Sequence, residues 1–286
     1  VEGDMVIVGI LVVIGAVFGG YLLEHGVIGV LIQPAEFVII GGAALGTVLI
    51  STPLSVLLKL LKSCTKVLSG GSIPKAAYVE LLTLIYDLGQ TVRKDGQLAL
   101  ESHMEDPHSS SIFTKYPTFL KQHHAVDFLA DTGRIIVMGG VPPYEVESLM
   151  DADLETHHEE SARPVSVLVK VGDAMPGLGI VAAVLGIVIT MQVIDGPPQE
   201  IGHKVAAALV GTFLGILAAY GFIQPFASCL EMINQNEARY LQCLRAGLMA
   251  LARSMPPVIA VEFARRTIFS DVRPSFKEME EAVRSK

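Results

Sequence analysis

Four apolar stretches punctuate the chain. They are Met5–Leu23 ("MVIVGILVVIGAVFGGYLL"), Phe37–Ile50 with Ala35 and Thr52 at its edges, Ala174–Ile194, and Val205 to about Phe226. About 20 apolar residues in a helix span the hydrocarbon core of a bilayer. The pattern therefore predicts four transmembrane helices, of which the second is short for a span. Between Pro53 and Gly172 the polarity changes. "YVELLTLIYDLGQTVRK" and "FLKQHHAVDFLADTGRIIV" carry apolar residues at helical spacing. "PPYEVESLMDADLETHHEE" opens on paired prolines suited to a helix start and then turns acidic. No strand-like alternation with hairpin turns occurs. The expectation is an all-α, polytopic membrane protein: residues 1–52 form spans one and two, 53–172 a helical domain, 173–228 spans three and four, and 229–286 a helical tail.

Composition agrees with a membrane protein. Half of the residues (51%) are hydrophobic and 17% charged, and the mean hydropathy is +0.52. A formal charge of −8 argues against a nucleic-acid partner. Cys64, Cys229 and Cys243 lie far apart without CxxC spacing, and read as free thiols in a reducing compartment. The chain lacks GxGxxG and Walker patterns, which argues against ATP hydrolysis. No catalytic constellation, metal site or cofactor is expected. His123-His124 and His157-His158 are adjacent pairs that diverge by about 100° on a helix, and they read as solvated, as does the acidic run Asp151 to Glu160.

Orientation follows from Lys and Arg. The segment Pro53–Gly172 holds eleven and Leu230–Lys286 nine, against none in Glu24–Pro34 and one in Asp195–Lys204. The positive-inside rule places the two rich segments and both termini in the cytoplasm. The first stretch has no basic leader or obvious small-residue cleavage site, so it reads as a span.

The span interiors are nearly bare of polar groups. Glu36 and Asp173 fall at span ends, leaving Thr47, Thr190, Gln192, Thr212 and Tyr220 inside. Ion-moving proteins usually place an ionisable group at mid-membrane. Either this chain moves no ions, or a partner supplies the group. Gly15-x-x-x-Gly19 and Gly42-x-x-x-Gly46 are close-approach spacings, and spans three and four are also rich in Gly and Ala. They serve packing within one subunit or an oligomer around another helix. Pro176 and Pro225 either end or kink their helices, or form a flexible cytoplasmic mouth.

Four segments carry a resemblance. "GYLLEHGVIGVLIQPAEFVIIGGAALG", "VGDAMPGLGIVAAVLGIV", "ALVGTFLGILAAYGFIQP" and "PPVIAVEFARRTIFSDVRPSF" resemble the MotA family of flagellar motor stator subunits, nearly end to end. The resemblance implies a bacterial inner-membrane homo-oligomer, a pentamer around two MotB helices, whose aspartate takes up and releases the ion. It implies a charged face for the rotor protein FliG. Pro176 in "DAMPGLG" and Pro225 in "FIQPFA" stand where the family has functional prolines, and Thr212 in "VGTFLG" at a pore-facing threonine. Arg93 in "TVRKDG" and Glu101 in "LALE" stand at rotor-facing charges, with Lys94 a further candidate.

Sodium-driven relatives carry Thr where Ala183 and Gly211 stand here. Sodium needs oxygen ligands and these positions offer no side-chain oxygen, so the proton is the expected coupling ion. The alternatives are a sodium-driven stator, an ExbB- or TolQ-like energiser, a self-contained transporter, and a structural membrane scaffold.

Overall fold

The computed structural model describes residues 2–284, and among these residues all regular structure is helical, without strands. The elements are α1 (Glu2–Leu23), α2 (Ile28–Leu31), α3 (Pro34–Ser51), α4 (Leu54–Ser69), α5 (Lys75–Asp95), a 3₁₀ turn (Gln97–Leu100), α6 (Glu101–Glu105), a second 3₁₀ turn (Phe113–Lys115), α7 (Pro117–Leu120), α8 (His123–Met138), α9 (Pro143–Met191), α10 (Pro198–Ile216), a π-helical segment (Leu217–Ile223), α11 (Gln224–Ala252), α12 (Pro257–Arg266) and α13 (Phe276–Arg284). Four regions are long and apolar enough to cross a membrane: Gly3–Leu23, Ile28–Ser51, Pro143–Met191 and Pro198–Ala252. The chain forms two compact units, residues 1–71 with 161–233 and residues 72–160 with 234–286.

In the first unit, α1 ends where His25 adopts φ 59° and the Gly26 N–H donates to the Tyr21 carbonyl at 2.9 Å. The second span is a broken helix. The short α2 stops at Leu31, Ile32 and Gln33 are non-helical, and Pro34 restarts the chain as α3. Proline suits that place, because it lacks the N–H that a first helical residue leaves unpaired. The break explains why the stretch reads as short. Helix α4 is amphipathic: Val56, Leu60 and Val67 face inward at spacings of four and seven. Val56 and Leu60 pack with Val167, and Val67 with Leu230 and Ile233. Gly70 closes α4 at φ 74°, where its N–H reaches the Lys66 and Val67 carbonyls.

Helix α9 is longer than the pattern suggests. The acidic helix and the third span, read separately in the sequence, are one helix of 49 residues with Pro164 and Pro176 inside it. At 1.5 Å per residue it runs about 73 Å.

The second unit has a dense apolar core. Tyr78, Leu81, Leu82, Ile85 and Leu88 of α5 pack with Phe113, Phe119, Phe128, Cys243 and Leu244. Burial pushes the Cys243 thiol up to about 12. The Glu80 carboxylate accepts the backbone N–H groups of Thr118 (2.7 Å) and Phe119 (3.0 Å), capping α7. Arg245 pairs with Glu147 (3.1 Å) and Asp151 (2.7 Å), and Arg253 with Glu147 (2.8 Å). The acidic face is thus partly committed to α11 and not wholly solvated. The histidine pairs also depart from the solvated expectation. His123 and His158 are exposed, but His124 stacks on His157 with ring centroids 3.8 Å apart. No cluster of three metal-ligating side chains forms among the described residues.

Glu262 ties α12 to the segment before α13. Arg265 grips both its oxygens (2.7 and 2.9 Å) and donates to the Pro274 carbonyl, while Arg266 adds a third contact at 2.7 Å. The Arg265 hydrogen bond first, then Arg266, holds the Glu262 carboxyl at about 2 against an ordinary 4.5. A depressed carboxyl stabilises the fold above its unfolded value and loses that contribution as pH falls through the folded one. Glu262→Gln should therefore lower stability by about 1–2 kcal/mol at neutral pH. The gap from wild type should close between pH about 4.5 and about 2, as read by thermal melting of the detergent-solubilised chain across that range.

Candidate functional site

Helices α9 and α10 meet backbone to backbone. A Cβ on Gly179 would lie 2.7 Å from the Gly211 carbonyl, and one on Gly215 would lie 2.6 Å from the Met175 carbonyl. Gly186 faces Ala208 at a comparable approach. Small residues allow this proximity, and in a membrane van der Waals packing of that kind holds helices together. The glycines of spans three and four at this seam therefore serve packing within the subunit. Gly15, Gly19, Gly42 and Gly46 differ, with nothing within 4 Å of where their Cβ would be.

Pro176 and Pro225 stand at one level of this seam. Neither proline ends its helix. Pro176 lies inside α9, and Gly172, four residues earlier, abuts Gln224. The Gln224 Nε2 donates to the Asp173 carboxylate at 2.9 Å. Before Pro225 the helix widens into the π segment, where the Gln224 N–H reaches back five residues to the Ala219 carbonyl. Proline cannot donate to the carbonyl four residues before it, so the widened turn redistributes the bonds its ring would break. The turns at the two prolines are thus joined through Asp173 and Gln224.

Three of the interior hydroxyls divide clearly. Thr47 Oγ1 donates to the Ala44 carbonyl and Thr190 Oγ1 to the Gly186 carbonyl, both at 2.8 Å. Thr212 makes no side-chain hydrogen bond among the described residues and is half-exposed. Of these three threonines, Thr212 keeps its hydroxyl available to a group from outside the subunit. Ala183, also half-exposed, adds no polar atom beside the buried Ala182.

The interior is not free of ionisable groups, as the sequence suggested. Glu36 sits in the first turn of α3, after the break, and is 6% exposed. A Cβ on Gly211 would come within 2.5 Å of its Oε2 and 3.1 Å of the Ala182 Cβ. That Oε2 has no hydrogen-bond partner. Ala182 lies about 14 Å along α9 from its end at Met191, and Gly211 about 9 Å along α10 from Val205. The carboxyl is thus at the end of its own helix and yet within the hydrocarbon depth. The retrievable signal was Pro34 at the head of an undersized span, which starts α3 deep. An unpaired charge at the bilayer centre costs about 3 kcal/mol on insertion scales.

Arg93, Lys94 and Glu101 belong to the second unit. Arg93 and Lys94 end α5, Glu101 begins α6, and all three side chains are exposed. None forms an ion pair among the described residues. Gly96 (φ 81°) turns the chain between them, a conformation that favours glycine. Leu100 and Met104 are buried and fix the turn from below. Arg93 also borders a cleft of about 480 Å³ with Gln97, Leu251, Ser254, Pro256 and Pro257.

These features define a four-span, all-helical channel-wall subunit with a separate charged face. A family model for the Motility protein A N-terminal region matches residues 7–96, and one for the MotA/TolQ/ExbB proton channel family matches residues 120–243. The chain is 42% identical to Motility protein A of Salmonella typhimurium, over 98% of this chain and 95% of the relative. It is 38% identical to chemotaxis protein LafT of Vibrio parahaemolyticus, over 95% of each. The fold matches the structure of C. jejuni MotAB with a TM-score of 0.79 at 20% identity, covering 95% of this chain and 98% of that one. It matches the flagellar MotAB stator complex from Bacillus subtilis at 0.72 and 21% identity, covering 96% and 97%. The chain belongs to the Motility protein A family, a non-enzymatic branch of the MotA/TolQ/ExbB proton channels, and is an inner-membrane protein.

Gly179 and Gly215, which face backbone, should tolerate no side chain. Gly215→Val should lower the melting temperature of the detergent-solubilised protein by several degrees, because its branched side chain meets the α9 backbone at Met175. Gly42→Ala, which meets nothing in the subunit, should leave that temperature unchanged.

Proposed function

We propose that this chain forms the channel wall of a flagellar stator, in which proton flow drives torque on the rotor. The observation that carries the reading is the near full-length 42% identity to a Motility protein A, joined to four helical regions apolar enough to cross a membrane. Five copies surround two helices of a MotB-type partner, which brings an aspartate into the wall. Residues 53–172 and 229–286, with both termini, lie in the cytoplasm, as the charge asymmetry directs.

Each residue takes a role in that scheme. Thr212 and Ala183 line the path, and the Thr212 hydroxyl serves the passing ion or its water. Pro176 and Pro225 form the cytoplasmic mouth, where the Asp173–Gln224 bond couples their turns. Proton transfer on the partner's acid changes the charge felt by the wall, which turns the ring about the pair. Arg93, Glu101 and Lys94 engage FliG. The coupling ion is the proton, because Ala183 and Gly211 provide no oxygen for a dehydrated sodium ion.

The first test compares proton entry into liposomes holding the chain alone or the co-expressed assembly. Only the assembly should conduct, and equal rates would end the reading. Arg93→Glu should reduce torque with normal membrane assembly, and a reversed charge on the rotor should restore part of it. Replacing sodium by potassium in the medium at a constant proton gradient should leave torque unchanged.

A further inference from the structure

The buried carboxyl of Glu36 has no part in the scheme above. It sits where the second span is interrupted, and three independent features mark the place. The helix breaks at Ile32 and Gln33 within the membrane-crossing segment. Interrupted helices free backbone groups that hydrocarbon cannot satisfy, and membrane proteins keep them where an ion or water has access. The Glu36 side chain is more than nine-tenths buried and its Oε2 lacks a partner. The opposing surface is cut back to receive it: Gly211 leaves the space that a Cβ would take from the carboxylate.

We propose that Glu36 is a proton-exchanging carboxyl of this subunit itself, acting in the ion path beside the acid that the partner brings. The inference rests on the channel reading above. In the step, an O–H bond forms on Glu36 as a water or hydronium gives up its proton, and that bond breaks when the proton passes on to the next acceptor. Each transfer conserves charge and needs no other reactant. The neighbours leave Glu36 to act alone. The charged residues of the α9–α10 corner are Asp195, Glu200, His203 and Lys204, near the link and the start of α10. None of them forms an ion pair with Glu36 among the described residues. At the contact itself α9 presents Ala182 and α10 presents Gly211. In an assembly of several copies, the site would repeat around the channel, so protons could wait at the wall before the partner's acid is ready.

The test uses the complete assembly with its partner in liposomes, scored as proton flux per recovered complex across a range of pH. Infrared difference spectra taken alongside read carboxyl protonation. Glu36→Gln should cut flux at least tenfold, flatten its pH dependence and remove one carboxyl band. Glu36→Asp should recover part of the flux. Gly211→Ala, which forces the carboxylate aside, should shift the pH profile without removing the band. Unchanged flux and an intact band in Glu36→Gln would overturn the proposal while the channel reading stands. So would a loss of total flux that vanishes once flux is counted per recovered complex. A wild-type assembly that fails to conduct would overturn the channel reading and this inference together.

Discussion

The contact of two bare backbones, α9 against α10, is the constraint on which the first unit depends. Hydrocarbon offers no hydrophobic drive between helices, so association rests on how closely main chains approach. Gly179 and Gly215 set that distance, and a methyl group at either position would meet carbonyl or Cα atoms of the facing helix. The same closeness fixes what lies around it. Thr212, next to Gly211, has its Cα at the same contact and is half-exposed. Met175, whose carbonyl faces Gly215, leads directly into Pro176.

Rigidity and yielding are therefore adjacent. Above the prolines the seam is locked by contact. At the prolines the helices cannot complete their ladders, and the structure compensates with a π segment and the Asp173–Gln224 hydrogen bond. A single exposed side-chain bond is a modest link, of about 1 kcal/mol. A wall built this way holds its helices in register while leaving the turns at one end free to shift. The second unit shows the opposite balance: a dry aromatic and aliphatic core holds a surface of unpaired charges at Arg93, Lys94 and Glu101.

Much of this was legible in the sequence, and the exceptions have physical causes. The four spans follow from hydropathy alone, because a bilayer imposes length and apolarity on any helix that crosses it. The α5 helix follows from its periodicity. Helix α4 passed unread because its apolar positions merge with the end of the second span. The unity of α9 was hidden because Pro164 and Pro176 are stop signals in water, yet a supported helix accommodates them. Glu36 was misplaced for a related reason. A linear reading equates the end of a hydrophobic stretch with the membrane surface, whereas the candidate span Ile28–Ser51 runs on both sides of the break at Ile32 and Gln33. The inward turn of His124 toward His157 is a tertiary contact that no local pattern carries.

The π segment has a geometric result of its own. A helix wheel drawn at a constant step through residues 198–252 assigns every side chain after Ile223 to the wrong azimuth, because the widened coil from Leu217 to Ile223 absorbs a surplus residue. The offset is roughly 100°, one residue's turn. Side chains before and after it obey two separate angular frames, so polar positions such as Thr212 and Gln224 cannot be aligned by counting. Alignments that slide a gap through this stretch would be correcting for the same surplus.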